Sequence, residues 1–300
     1  MISALKPYPG TRPRVVPKRL PSAKVKSMTI AIGMLCGGGA VVATDTQGCL
    51  GDGTAKRIKK IEAFSGKGMS FVIAYSGEDA DSARGLIKEI VRTVESKDVS
   101  GWGDIESAIS EAMAAWRTAF APEPIPTTSL VVAFCWLRHG LKLYSCELPN
   151  NVLPQPEGYI AIGAGAAVTN PLAINLFDPC PQSRPTQMVC RQIAYLMYRA
   201  KKDNYNCKGG TDAIFLEDTG NTRAIDASDF KNAEAVSFQL DWIFNCAATA
   251  TLGGNGEFLA QNIRSVGAVI LMHEAVRGTE FHDSVGNVIG PQLPLPADPL

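Results

Sequence analysis

Three residues of types that cooperate in nucleophilic chemistry stand in order in the stretch TIAIGMLCGGGAVVATDTQGCLGDGTAKRIKKIEAF. Thr29 heads a β-forming run, Asp45 follows sixteen residues later, and Lys60 lies fifteen beyond that. In a β-hairpin the start of the first strand lies beside the end of the second, so a turn at Gly37-Gly38-Gly39 predicts Thr29 and Asp45 as neighbours. A lysine on the next element could reach both. A hydroxyl needs an activating base at neutral pH, and a residue at a chain's amino end carries one in its own α-amine, of ordinary pKa about 8. A nearby ammonium lowers the pKa of that amine and of the hydroxyl, and a carboxylate holds the ammonium in place. The set is coherent provided that Thr29 becomes the first residue. Taken singly, a threonine at a strand start is a β-former, an aspartate after a strand is a turn residue, and Lys59-Lys60 is a solvated face. Their joint spacing carries the argument.

Positioning such a set takes a sheet, and the hydrophobic pattern supplies more than one. Residues 29–35 and 40–46 read as a hairpin around the glycine turn, and 69–75 (MSFVIAY) as a third strand ending at Ser76-Gly77. Residues 77–96 and 102–120 have apolar side chains at helical spacing. In the first, acidic residues crowd the opening turn; the second has the stripe Trp102, Ile105, Ile109, Met113 and Trp116, a core or subunit face rather than a cofactor box. Strands return at 129–137, 141–146 and 159–162. Helices follow at about 167–177 and 186–202, then a hairpin at 212–217 and 222–225. The order β-β-β-α-α-β-β-β-α-α-β-β predicts an α+β fold of two antiparallel sheets flanked by helix pairs. Residues 258–277 could be a helix, and no repeat of 20–50 residues is present.

Composition narrows the function classes. Lysine plus arginine and aspartate plus glutamate both number 29 in 300 residues, so the whole chain offers no electrostatic footprint for nucleic acid or an anionic membrane. Seven of the basic residues precede Met28 in a proline-rich stretch without acidic residues, leaving a mildly acidic body. Residues 1–28 read as a tail, a propeptide or sequence upstream of the true start, 29–228 as the folded domain, and 229–300 as an extension of unknown role. Eight cysteines without a CxxC pair, several inside apolar runs, read as buried thiols in a reducing compartment. No metal site is expected, since His139 sits in a turn and neither His273 nor His282 has a ligand pattern around it. Gly163-Ala164-Gly165 lacks the third glycine of a dinucleotide fingerprint, and Gly37-Gly38-Gly39 is not followed by the lysine and hydroxyl residue of a phosphate loop, so no cofactor is expected. Without a membrane-length apolar run or a signal-peptide core, a soluble cytoplasmic protein is expected.

The ordered landmarks resemble the proteasome β-subunit family, and are similar in particular to its bacterial branches: the peptidase of the two-ring heat-shock protease and the ancestral β subunit. They are Thr29, Gly33, the glycine turn, Val41-Val42, Asp45-Thr46-Gln47, Leu50-Gly51 and Lys59-Lys60-Ile61. Further on come Ala74-Tyr75-Ser76-Gly77, Ala80-Asp81 and Ala161-Ile162-Gly163-Ala164-Gly165. The resemblance covers about 29–226 and implies a four-layer αββα N-terminal-nucleophile hydrolase. It assigns Thr29 as nucleophile, its freed amine as base, Lys60 as the tuning ammonium, Asp45 as partner of Lys60, and the Gly77 N–H as oxyanion donor. Arg57-Ile58 also forms a basic-aliphatic pair, but Lys60-Ile61 agrees better with the spacing to Asp45. The chain has Ala164 where the family often has serine, Asn206-Cys207-Lys208-Gly209-Gly210 where many β subunits have Asp-x-x-Ser-Gly, and Met28 rather than glycine before Thr29. A start at Met28 followed by methionine removal would expose Thr29 directly.

What the resemblance implies is a threonine peptidase acting on peptides or unfolded proteins within a ring of identical subunits, with an ATP-dependent unfoldase as a possible partner. Two further readings stay open on the same scaffold. One is a non-catalytic, α-subunit-like ring component that keeps residues 1–28. The other is an amidase or peptide ligase, in which an amine resolves the acyl-enzyme.

Overall fold

The computed structural model describes residues 29–49, 54–120, 126–137, 139–148, 151–155, 158–176, 184–204, 206–252 and 280–290. Strands β1 (Ile30–Cys36) and β2 (Gly39–Asp45) form the expected hairpin, and every residue of both is buried, as befits strands covered on both faces. Gly38, at φ +95°, turns the chain. A Cβ on Gly39 would lie 2.2 Å from the carbonyl oxygen of Leu216, so only glycine lets the neighbouring strand pass here.

That neighbour is β11 (Thr211–Glu217). With β10 (Tyr159–Gly163) and β12 (Thr222–Ile225) it completes a five-stranded sheet of order β10-β1-β2-β11-β12. A second five-stranded sheet runs β5-β6-β7-β8-β9, from β5 (Ile61–Gly66), β6 (Met69–Gly77), β7 (Thr128–Trp136), β8 (Gly140–Glu147) and β9 (Asn151–Pro154). All pairings in both sheets are antiparallel. A two-stranded ribbon of β3 (Gln47–Cys49) and β4 (Ala55–Arg57) stands beside them.

Three apolar clusters hold these pieces together. Ala31, Val42 and Leu216 of the first sheet meet Val72, Ala74 and Val131 of the second. Helices α1 (Ala80–Ser96) and α2 (Trp102–Phe120) pack Leu86, Ile87, Ile105, Ile109 and Met113 onto Phe71, Ile73 and Phe134 of the second sheet. The stripe anticipated on α2 is thus core. The Asp79 carboxylate caps α1 by accepting from the Asp81 amide at 3.0 Å. On the far side, α3 (Ala166–Leu176), α4 (Thr186–Asp203) and α5 (Ala227–Leu252) cover the first sheet, with Ile193, Met197 and Phe230 against Ile30, Ile32 and Phe215.

Several elements escaped the sequence reading. The three residues of β4 are all exposed, β5 is an edge strand with mixed burial, and β3 is too short for a pattern, so none carries a hydrophobic signal. Helix α5 has apolar residues around its whole circumference and therefore no stripe. Its Phe230 and Ala233 belong to the same core as β1 and α4, across position 228, where the sequence reading places the end of the folded domain. Residues 280–290 join that core as well. Phe281 is fully buried edge-on to Phe230 at 5.1 Å, and Gln187 on α4 donates to the carbonyls of Phe281 and Ile289 while accepting from the Phe281 amide. Phe281→Ala is therefore expected to cost about 3–5 kcal/mol of unfolding free energy, measured by urea denaturation. An effect under about 1 kcal/mol would mean that this segment is an appendage.

The helix expected at 258–277 lies outside the described residues, as do residues 1–28. Among the described residues no helix is long and apolar enough to cross a membrane. The five cysteines described with their side chains, Cys36, Cys135, Cys146, Cys190 and Cys207, are free and buried.

Candidate active site

The β1–β2 register pairs Ala31 with Thr44, which sets Ile30 opposite Asp45 and Thr29 one residue beyond. At that end of the hairpin one carboxylate oxygen gathers three donors. Asp45 Oδ1 accepts from the Thr29 hydroxyl at 2.5 Å, the Ile30 amide at 3.2 Å and the Lys60 ammonium at 3.1 Å. Its other oxygen accepts from the Lys208 amide at 3.3 Å. The Lys60 ammonium also donates to the carbonyl of Gln47. Thr29, Asp45 and Lys60 are all fully buried. A charge pair in such a place persists only when nearly every lone pair and proton is satisfied, and these contacts meet that demand.

Lys60 reaches Asp45 because the chain between β4 and β5 is pinned to its neighbours without belonging to a ladder. The Ile58 amide donates to the Thr46 carbonyl at 2.7 Å, and the Tyr75 amide to the Lys60 carbonyl at 3.1 Å. Arg84 on α1 donates to the Lys59 carbonyl at 3.0 Å. Arg57 goes elsewhere, pairing with Asp212 at 3.0 Å on the surface with 73% of its side chain exposed. The structure therefore brings Lys60, and not Arg57, to Asp45 and Thr29.

The other side of Thr29 is closed by two turns. The Ser76 hydroxyl lies 3.4 Å from the Thr29 carbonyl oxygen, and Gly77, the next residue, ends β6 opposite Thr128 without a hydrogen bond to Thr29. Gly163 stands at φ +88°, where an added Cβ would come within 2.1 Å of the Thr29 carbonyl oxygen and 2.4 Å of Ser76 Oγ. Gly163→Ala is accordingly expected to destabilise the fold by about 3 kcal/mol or more, read by thermal or urea unfolding. A neutral result would mean that Thr29 is not held by this turn.

The adjoining Ala164 offers its carbonyl to the Asn204 side-chain amide at 2.7 Å, which ties the loop to the end of α4. Nearby, Cys207 is fully buried, and desolvation foremost, with the Asp45 charge in support, pushes its thiol up to about 12. Three groups at the site had no side-chain signal in the sequence: the Gln47 carbonyl and Lys208 amide act through the backbone, and Asn204 is an ordinary residue type placed by topology, whereas Ser76 stood among the landmarks without an assigned role. Of the histidines expected to lack ligand roles, His139 lies tilted by 40° against Trp136 with ring centroids 3.7 Å apart, and His282 meets Asp229 at 3.2 Å. Among the described residues no group of three or more potential ligands is placed to hold a metal ion.

The same fold occurs in solved structures. The ancestral β-subunit Anbu from Yersinia bercovieri superposes with a TM-score of 0.60 at 15% identity, over 72% of this chain and 97% of that one. A Gly-1 mutant of Anbu from Hyphomicrobium sp. strain MC1 gives 0.60 at 16% identity, over 72% and 96%. This chain has the fold of the ancestral proteasome β subunit. The helical assembly of the Anbu complex from Pseudomonas aeruginosa gives 0.54 at 16% identity, over 71% of this chain and 92% of that one. No protein-family model and no curated protein matches the sequence. At such identities the likeness to Anbu concerns the fold, and the chemistry rests on the geometry of this chain's own residues.

Proposed function

We propose that this chain is a threonine-type N-terminal-nucleophile peptidase with a four-layer αββα architecture, working in an assembly of identical subunits. The observation that carries the reading is the single oxygen of Asp45 shared by the Thr29 hydroxyl and the Lys60 ammonium in a buried site. The three core clusters, one between the sheets and one under each set of helices, support the layered architecture.

In the proposed reaction Thr29 Oγ1 attacks the peptide carbonyl and its proton passes to the freed α-amine. Lys60 holds that amine and hydroxyl at lowered proton affinity, and Asp45 fixes Lys60. The oxyanion of the tetrahedral intermediate rests on the Gly77 N–H. Collapse expels the leaving amine with the proton, and water then resolves the ester on Thr29 to release the acid. The helical assembly of Anbu supports self-association. Peptides or unfolded proteins as substrates, and an ATP-dependent unfoldase as partner, belong to the same proposal.

Thr29 is fully buried in the chain that carries residues 1–28, an observation that also favours a second reading, a non-catalytic subunit in which those residues stay attached. Intact mass and N-terminal sequencing of native protein without an upstream tag, followed by treatment with a peptide epoxyketone, separate the two. A chain beginning at Thr29 that forms a one-to-one adduct supports the peptidase. A stable chain that still carries residues 1–28 and forms no adduct overturns it in favour of the structural subunit. Product formation that depends on an added amine, with a new amide bond formed as the ester on Thr29 breaks, would instead identify a peptide ligase.

A further inference from the structure

The last three residues of β6 each meet a different part of the proposed machinery. Tyr75 donates through its amide to the Lys60 carbonyl at 3.1 Å and through its phenol to the Lys59 carbonyl at 3.4 Å. Ser76 lies against the Thr29 carbonyl, and Gly77 carries the proposed oxyanion N–H. Successive strand residues point to opposite faces, so the Tyr75 ring enters the core under α1 with Ile58, Ala80 and Ala83, while Ser76 faces the first sheet. The Tyr75 side chain takes no part in the proposed chemistry, yet it is fully buried beside the segment that carries Lys60.

The Lys59 carbonyl is where these contacts converge. Besides the phenol it accepts from the Arg84 guanidinium at 3.0 Å, and Glu62 stands 3.9 Å from that guanidinium. Burial pushes the Tyr75 phenol up to about 12 against the lowering effect of Arg84, so it remains a donor in neutral solution. Residues 58–60 lie between β4 and β5 and belong to neither strand. Each peptide unit is planar, so holding the Lys59 carbonyl fixes the plane before the Lys60 Cα, and the Tyr75 amide on the Lys60 carbonyl fixes the plane after it. Together they set the direction in which the Lys60 side chain leaves the backbone toward Asp45.

We infer that Tyr75 and Arg84 are positioning residues, which hold the Lys59 carbonyl and through it set where the Lys60 ammonium stands relative to Thr29. The inference rests on the peptidase reading and names what controls its base. In that reading the freed Thr29 amine stands near two charges, the Lys60 ammonium, which lowers its proton affinity, and the Asp45 carboxylate, which raises it. With the Lys59 carbonyl released, the ammonium moves away from Thr29 for part of the time, and the amine regains proton affinity toward its ordinary pKa of about 8. A protonated amine is no base, so kcat falls most in acidic solution and the loss fades in alkaline solution.

Tyr75→Phe combined with Arg84→Met tests it, with rates expressed per active site counted by epoxyketone adduct. The combined variant is expected to lower kcat at least about tenfold at about pH 6.5 but less than about threefold at about pH 8.5, with KM within about threefold of the parent. In the Tyr75→Phe background, Arg84→Lys keeps a donor for the Lys59 carbonyl and is expected to hold kcat within about threefold of the parent at both. Amide exchange of peptides covering 58–62 and 72–76, followed by mass spectrometry, reads the hold on Lys60 without turnover and is expected to be at least about fivefold faster in the combined variant. An equal loss of kcat in acid and alkali, an unchanged kcat at both, or unchanged exchange would each overturn the inference. A parent chain with neither turnover nor adduct removes the peptidase reading instead, and the hold on Lys60 then stands or falls on the exchange alone.

Discussion

Thr29→Ala is expected to lower peptide turnover by at least about 10³-fold while leaving the fold in place. The two effects separate because of what surrounds Asp45. Removing the threonine hydroxyl deletes one donor, but the carboxylate keeps the Ile30 amide, the Lys60 ammonium and the Lys208 amide. The loss of one hydrogen bond with the others intact corresponds to about 1–2 kcal/mol of stability. Thr29→Ser, which restores a hydroxyl at the same carbon, is expected to recover turnover to within about tenfold of the parent. Initial rates on a fluorogenic peptide, with urea denaturation of the same samples, check both parts. Turnover unchanged in Thr29→Ala would remove threonine from the mechanism and send the search to another nucleophile.

The second large effect concerns Lys60 and falls on stability as well as activity. Lys60→Met keeps a flexible unbranched side chain one atom shorter but leaves the Asp45 carboxylate fully buried without its counter-charge, which is expected to cost about 3–5 kcal/mol. Turnover is expected to fall along with it, because the group proposed to tune the amine is gone. Arginine is no remedy: a planar guanidinium does not fit the space of a compact ammonium held between Asp45 and the Gln47 carbonyl. Combining Lys60→Met with Asp45→Asn is expected to cost less than the sum of the two single changes, since the double variant no longer buries an unpaired charge. Strict additivity in urea denaturation would mean that the two residues do not act as a pair. Arg57→Ala, which loses only an exposed ion pair with Asp212, is expected to change stability by about 1 kcal/mol at most.

The difference between Lys60 and Arg57 also marks how far the sequence could be read. Both precede an aliphatic residue, and their composition alone does not separate them. Spacing favours Lys60, and the geometry that places it there comes from contacts no local pattern records: amide bonds from Ile58 and Tyr75, and the reach of Arg84 from α1 to the Lys59 carbonyl. The elements with a strong pattern are legible because β1, β2, β6 and β7 are nearly continuous apolar runs, while α1 and α4 repeat apolar residues every three to four positions. Those without a period, β3, β4 and α5, are not.

The hairpin register is a property of the sequence itself. A glycine turn between two runs of β-formers fixes which residues face each other, so the proximity of Thr29 and Asp45 follows from counting outward from that turn. The burial of the Thr29, Asp45 and Lys60 cluster is not written there. It arises when the second sheet, the Gly163 turn and the 206–210 segment close around the hairpin end and supply carbonyl and amide groups that any residue type could have offered. The same closure joins 280–290 to the core through Phe281, although that segment is about fifty residues beyond the strands in sequence and has no pattern of its own. Local spacing specifies which groups can meet along one hairpin, whereas desolvation and backbone partnership depend on segments distant in sequence, and only the packed tertiary structure brings these together.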